Sequence, residues 1–196
     1  MSRLQVLMGQ PKLALGALLT LLLAAGAVVG SGADFTASSA NPSNTFAAGT
    51  LSIVNSNEGV AVLTASNMRP AGPAATGTVD IENSGSLSGA FTLSRTAPVD
   101  SDGANPLSGK LNITVTDCGE FAGAVAPVCG NGDDVVKFTG GTIAQMGTGG
   151  YAIDALGSYD AGEKHRYEFS VQLDGSANDN YQGDTSSVEF DFNAAS

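Results

Sequence analysis

The chain has 196 residues, with 19 acidic residues against 8 basic ones, a net charge of −11 and no tryptophan. That acidic balance disfavours nucleic acid and anionic lipid as partners. The length after an N-terminal leader suits one domain able to bury a core of its own.

The leader spans residues 1–32. Arg3 and Lys12 precede an apolar run from Leu13 to Val29, followed by small residues at Gly30, Ser31 and Gly32. A positive flank, an apolar stretch and a small-residue exit predict a signal peptide cleaved near Ala33 or Asp34, with a retained membrane anchor as the alternative. The next basic residue is Arg69, and without Arg3 and Lys12 the rest of the chain carries 6 basic and 19 acidic residues, a net −13. Residues 33–46, "ADFTASSANPSNTF", are small, polar and broken by Pro42. Their large apolar residues stand at the two ends, Phe35 and Phe46, and the stretch reads as a flexible N-terminal arm.

From Ala47 the chain reads as strand after strand. "GTLSIVN" alternates with Leu51 and Ile53 inward, and "VAVLTA" follows a turn at Asn57, Glu58 and Gly59. "SNMRPAGPAATG" is a Pro/Gly loop. "TVDIENSGSL" puts Val79 and Ile81 on one face and stops at Asn83-Ser84-Gly85. "GAFTLSR" alternates at Phe91 and Leu93, and "GKLNITVTD" at Leu111, Ile113 and Val115. "DVVKFTGG" offers Val136 and Phe138. "GTIAQMGTGGYAIDALGS" is the one ambiguous stretch, with room for a short helix. "EKHRYEFSVQL" sets Tyr167, Phe169 and Val171 against Lys164, Arg166, Glu168 and Ser170. The last strand carries Val188, Phe190 and Phe192 against Glu189 and Asp191. Eight or nine short alternating strands separated by Gly, Pro, Asn, Asp and Ser turns predict an all-β, antiparallel two-sheet sandwich over residues 47–196.

Cys118 and Cys129 lie eleven residues apart. In an exported chain a local disulfide is the expectation. A zinc pair is the alternative, but His165 is the chain's one histidine, so two thiolates lack the partners of a closed site. His165 itself, between Lys164 and Arg166, reads as a surface or edge residue. No catalytic motif is present: there is no H-E-x-x-H, no G-x-S-x-G, and "GTGG" at 147–150 lacks the lysine of a phosphate loop. The expectation is a protein that is not an enzyme and needs no metal or cofactor. The oxygen-rich loops at Asp100, Asp102 and Asn105 and at Asn131, Asp133 and Asp134 read as solvated turns, with calcium ligation as the alternative. Asn112 heads a formal glycosylation sequon in mid-strand.

The polar run Asn178, Asp179, Asn180, Tyr181, Gln182 and Gly183 precedes the last strand. It reads as a structural corner. Its Asn and Asp side chains bond nearby backbone, Tyr181 packs over an end of the sandwich, and Gly183 takes the tight turn. A subunit contact or a cation site is the alternative.

Three stretches in order, "NTFAAGTLSI" (44–53), "SNMRPAGPAATGTVDIENSGSL" (66–87) and "NDNYQGDTSSVEFDF" (178–192), resemble the TasA/camelysin family of secreted bacterial biofilm-matrix and spore-coat-associated proteins. The middle of the chain, with its two cysteines, carries none of the resemblance. The resemblance implies a jelly roll that polymerises head to tail into extracellular fibres, the arm of one subunit completing the sheet of the next. Ala33, Asp34, Phe35 and Phe46 would then be interface residues, and other matrix proteins possible partners. It also implies removal of the leader by a dedicated signal peptidase. A loose, strand-capable arm ahead of a full set of strands is itself suited to strand addition, which covers an open sheet edge and gives an open filament. Part of the family carries a peptidase label, for which a single histidine leaves no metal site. The runner-up reading is a monomeric cell-surface binding or accessory sandwich module.

Overall fold

The computed structural model describes residues 48–132 and 134–196. The expected leader (1–32) and arm (33–46), with Ala33, Asp34, Phe35 and Phe46, lie outside the described residues, as does Asp133. Among the described residues there are ten strands: β1 (Ile53–Asn55), β2 (Ala75–Asn83), β3 (Gly89–Arg95), β4 (Val99–Asp100), β5 (Leu111–Glu120), β6 (Val135–Thr142), β7 (Gly157–Tyr159), β8 (Lys164–Leu173), β9 (Ser186–Ser187) and β10 (Phe190–Ala195). Among the described residues helical structure is confined to two single 3₁₀ turns, Leu107–Gly109 and Asp179–Tyr181. No helix of the described residues is long and apolar enough to cross a membrane.

The strands form a five-stranded sheet in the order β1-β2-β8-β5-β6, a three-stranded sheet β10-β3-β7, and a two-stranded ladder β4-β9, with antiparallel pairing throughout. The fold is all-β. The ladder continues the β3–β10 pairing: the Thr96 amide donates to Glu189 O, and beyond the ladder Ser101 N donates to Thr185 O.

The core lies between the two larger sheets, and alternation explains its membership. β5 buries Leu111, Ile113 and Val115; β8 buries Tyr167, Phe169, Val171 and Leu173; β2 buries Val79 and Ile81; β3 buries Phe91 and Leu93. Phe169 of β8 meets Phe190 and Phe192 of β10 with ring centroids 4.7 and 6.4 Å apart, a contact from sheet to sheet. Each fully buried side chain of this size contributes about 1.5–3 kcal/mol.

Four expectations need correction. Residues 60–65 are not a strand. The Val62 carbonyl and the Leu63 side chain sit against Gly77 of β2, where a Cβ would collide with them, so the segment packs on the sheet without joining its ladder. Val136 is not inward. The β5–β6 register shifts between Ile113 and Val115 and again between Val115 and Thr116, which buries Phe138 and leaves Val136 exposed. The stretch 141–158 holds no α-helix. Its residues 143–147 are consecutive turns anchored by side chains: Thr142 N and Oγ1 donate to Gln145 Oε1, and Arg95 donates from Nε to Met146 O (2.8 Å) and from Nη2 to Ala144 O (2.6 Å). The fourth correction concerns His165.

Candidate functional site

His165 is not a surface or edge residue. It stands in β8, flanked by Ile81 of β2 and Glu120 of β5, and its side chain is 16% exposed. It is in phase with Tyr167 and Phe169, so its ring turns inward. Asp117 is in phase with Ile113 and Val115 on β5 and is the most buried carboxylate described, 4% exposed. The two meet: His165 Nδ1 lies 3.0 and 3.1 Å from the Asp117 carboxylate oxygens. On the other side of the ring, Nε2 lies 2.9 Å from Oε1 of Glu163, in the turn that joins β7 to β8.

Further groups complete the cluster. Gly119 N donates to Asp117 Oδ1 (3.0 Å), and Lys137 Nζ of β6 lies 3.8 Å from Asp117 Oδ2 while donating to Leu156 O at 3.0 Å. Tyr159 of β7 stacks between Phe91 (4.2 Å) and the His165 ring (4.5 Å), and its hydroxyl bonds the hydroxyl of buried Tyr167. Burial drives both tyrosines well above the ordinary phenol range. Burial alone would lower the His165 pKa. The hydrogen bonds that the ring donates to Asp117 and Glu163, and the charges of those carboxylates, outweigh it and hold the pKa above the ordinary 6.5.

With both nitrogens facing carboxylates, the ring has no free lone pair to act as a base. The cluster holds no serine or free thiol to be activated, because Cys118, next to Asp117, is bonded to Cys129 with their Cα atoms 4.7 Å apart. The side chains of His165, Asp117 and Glu163 join β5, β8 and the turn between β7 and β8. The signal for this junction was present in the alternation that puts His165 and Asp117 inward. Their meeting depends on the β5–β8 register, which no local pattern reveals.

Three described carboxylates of the acidic loops accept hydrogen bonds from nearby backbone and side-chain groups. Asp100 accepts from Ser108 N (2.8 Å) and Oγ (2.6 Å). Asp102 accepts from Ala104 N (2.8 Å) and Asn105 Nδ2 (3.0 Å). Asp134 accepts from Gly130 N (2.5 Å). Among the described residues no three His, Cys, Asp or Glu side chains are grouped to hold a metal ion. An open cleft beside β3, lined by Leu93, Arg95, Met146 and Ile153 among others, has no carboxylate or histidine on its walls, and its arginine is committed to backbone carbonyls.

The run before the last strand is a capped turn. Asn178 Oδ1 accepts from Asn180 N (3.1 Å), the Gln182 amide donates to Asp179 O (3.1 Å), and Gly183 takes φ of 85°. Tyr181 packs against the core edge, with Lys110 Nζ 5.9 Å from its ring centroid. Asn112, in β5, donates from Nδ2 to Asp174 Oδ2 (3.1 Å).

The sheet edges are the remaining feature of the described domain. β10 is outermost in its sheet. Its inward residues Phe190, Phe192 and Ala194, with Val188 before it, are only partly buried although they pack on the core. β6 is outermost in the larger sheet and exposes Val135 and Val136. The disulfide loop carries Val125 and Val128, 83% and 78% exposed. No protein-family model matches the chain, and no curated protein matches it.

Proposed function

We propose that this chain is a secreted structural protein, the subunit of an extracellular biofilm-matrix or surface fibre. In this reading the N-terminal arm, residues 33–46, leaves one subunit and adds as a strand to the next, extending a jelly-roll sandwich head to tail. The observation that carries it is the state of β10. Its outer edge is unpaired among the described strands, and its core-facing Phe190 and Phe192 are only partly covered. Unpaired edges invite strand addition, and a donated strand supplies both the missing ladder and the missing cover. Phe35 and Phe46 are the large apolar residues of the arm that would anchor it. The resemblance of residues 44–53, 66–87 and 178–192 to the TasA/camelysin family points the same way, as does a leader of the export type.

A peptidase role is not part of this proposal. The chain's one histidine has both ring nitrogens engaged by carboxylates. The test is sedimentation and electron microscopy of the purified protein lacking its leader. Filaments are expected; a homogeneous monomer under all conditions would favour a cell-surface binding module instead.

A further inference from the structure

We propose that His165 is a pH-operated latch: its imidazolium ties β5 to the turn between β7 and β8, and loss of its proton loosens that turn and the β7 strand leading into it. An ionised carboxylate only accepts hydrogen bonds, and a neutral imidazole has a single N–H. Asp117 and Glu163 bond opposite ring nitrogens, so only the doubly protonated ring satisfies both. Once neutral, the ring turns a lone pair toward one carboxylate.

Glu163 is the partner that yields. Asp117 is buried and keeps Gly119 N and Lys137, whereas Glu163 lies in a turn that can swing its carboxylate into water. That carboxylate also accepts the Asp160 amide through Oε2 at 2.6 Å, so its departure removes that tie and leaves the turn on its backbone bonds alone, Glu163 N to Asp160 O, Gly162 N to Asn83 O and Asn83 N to Glu163 O. β7 pairs with β3 over three residues, and its Tyr159 ring stacks on the imidazole, a contact that favours the cationic ring. β7 is also held by the Tyr159 stack on Phe91, by the Tyr159–Tyr167 hydroxyl bond and by Asn83 Nδ2 donating to Tyr159 O, so the latch sets how readily it opens rather than where it sits.

The charged and titratable groups around the ring come from each element packed on it. They are Asp117 and Glu120 on β5, Lys137 on β6, Tyr159 on β7, Asp160 and Glu163 in the turn, and Tyr167 on β8. On the opposite face of β8 and β2, Lys164 pairs with Glu82 and Arg166 with Asp80, so those charges are spent on each other. The direction follows from linkage. The folded-state pKa of His165 lies above 6.5, so the stabilisation is complete below 6.5 and is lost as pH rises through the folded value. The latch is closed in acid and opens in base, and it belongs to the domain whether or not the chain polymerises.

The chain has one histidine, so its imidazole signal in NMR is unambiguous. The experiment titrates that signal and, over the same pH range, measures hydrogen exchange of the amides of β7 and Asp160, corrected for the intrinsic pH dependence of exchange. The expected result is a titration above 6.5, with β7 and Asp160 losing about tenfold in protection per unit of upward shift. Amides of β5 and β8 keep theirs. Glu163→Gln should make β7 protection independent of pH. A His165 that titrates at or below 6.5, or β7 protection unchanged through its titration in the unaltered chain, overturns the latch even if the variant does not fold.

Discussion

Asn83 Nδ2 donates to the carbonyl of Tyr159 at 3.1 Å, joining the end of β2 in one sheet to the end of β7 in the other across 76 residues. The same amide donates to Leu87 O (2.8 Å), and Asn83 Oδ1 accepts from Gly85 N (3.0 Å). The side chain is fully buried. Replacing it with alanine leaves the Tyr159 carbonyl and the Gly85 amide without these partners. Asn83→Ala should therefore cost about 2–3 kcal/mol. Urea denaturation measures it, and a loss under about 0.5 kcal/mol, the size of an ordinary surface change, would contradict the assignment.

The disulfide closes a short loop on the rim of the larger sheet. Cys118 is buried and Cys129 partly so, and no free cysteine remains. Replacing both by serine should lower stability by about 2–3 kcal/mol, mainly through the freedom regained by the unfolded chain. Calorimetry of the oxidised protein and the double variant compares them. Equal melting temperatures would show that the loop is held by other contacts.

Asp174 accepts from Ser176 Oγ and N and from Asn112 Nδ2, which lowers its pKa to about 2. A depressed carboxylate contributes stability that is present above its unfolded value of 3.8 and lost as pH falls toward 2. Carboxyl NMR should therefore show Asp174 still ionised at pH 3, with Asp174→Asn flattening that part of the acid-unfolding curve. A titration midpoint near 3.8 would refute it.

Much of the sheet structure was legible because its strands alternate. β3, β5 and β8 follow the apolar period closely, since each buries one face against a second sheet. Two other segments show where that signal stops. Residues 60–65 have the composition of a strand, but pairing needs an edge to pair with, and here the chain lies over Gly77 instead. Val136 keeps the period of its strand, yet a bulge in the β5–β6 ladder turns it outward. The short strands β4, β7 and β9 are too brief to show a period at all. In the His165 cluster, alternation alone sets two inward-facing polar residues, Asp117 and His165. Glu163 joins them only through a turn that no local pattern encodes.

The central claim is assembly by a donated arm. Burying one phenylalanine contributes about 1.5–3 kcal/mol, and each 1.4 kcal/mol is about a factor of ten in association. Phe35→Asp should thus raise the critical concentration for polymerisation by about one to two orders of magnitude. Phe46 adjoins the folded domain and is the less clean probe.

The most direct measurement is sedimentation with electron microscopy on the protein lacking residues 33–43, with circular dichroism to check the fold. The account predicts no fibres and an intact β-rich monomer. A truncated protein that still forms fibres at the concentration of the full-length protein would contradict the donor-strand mechanism.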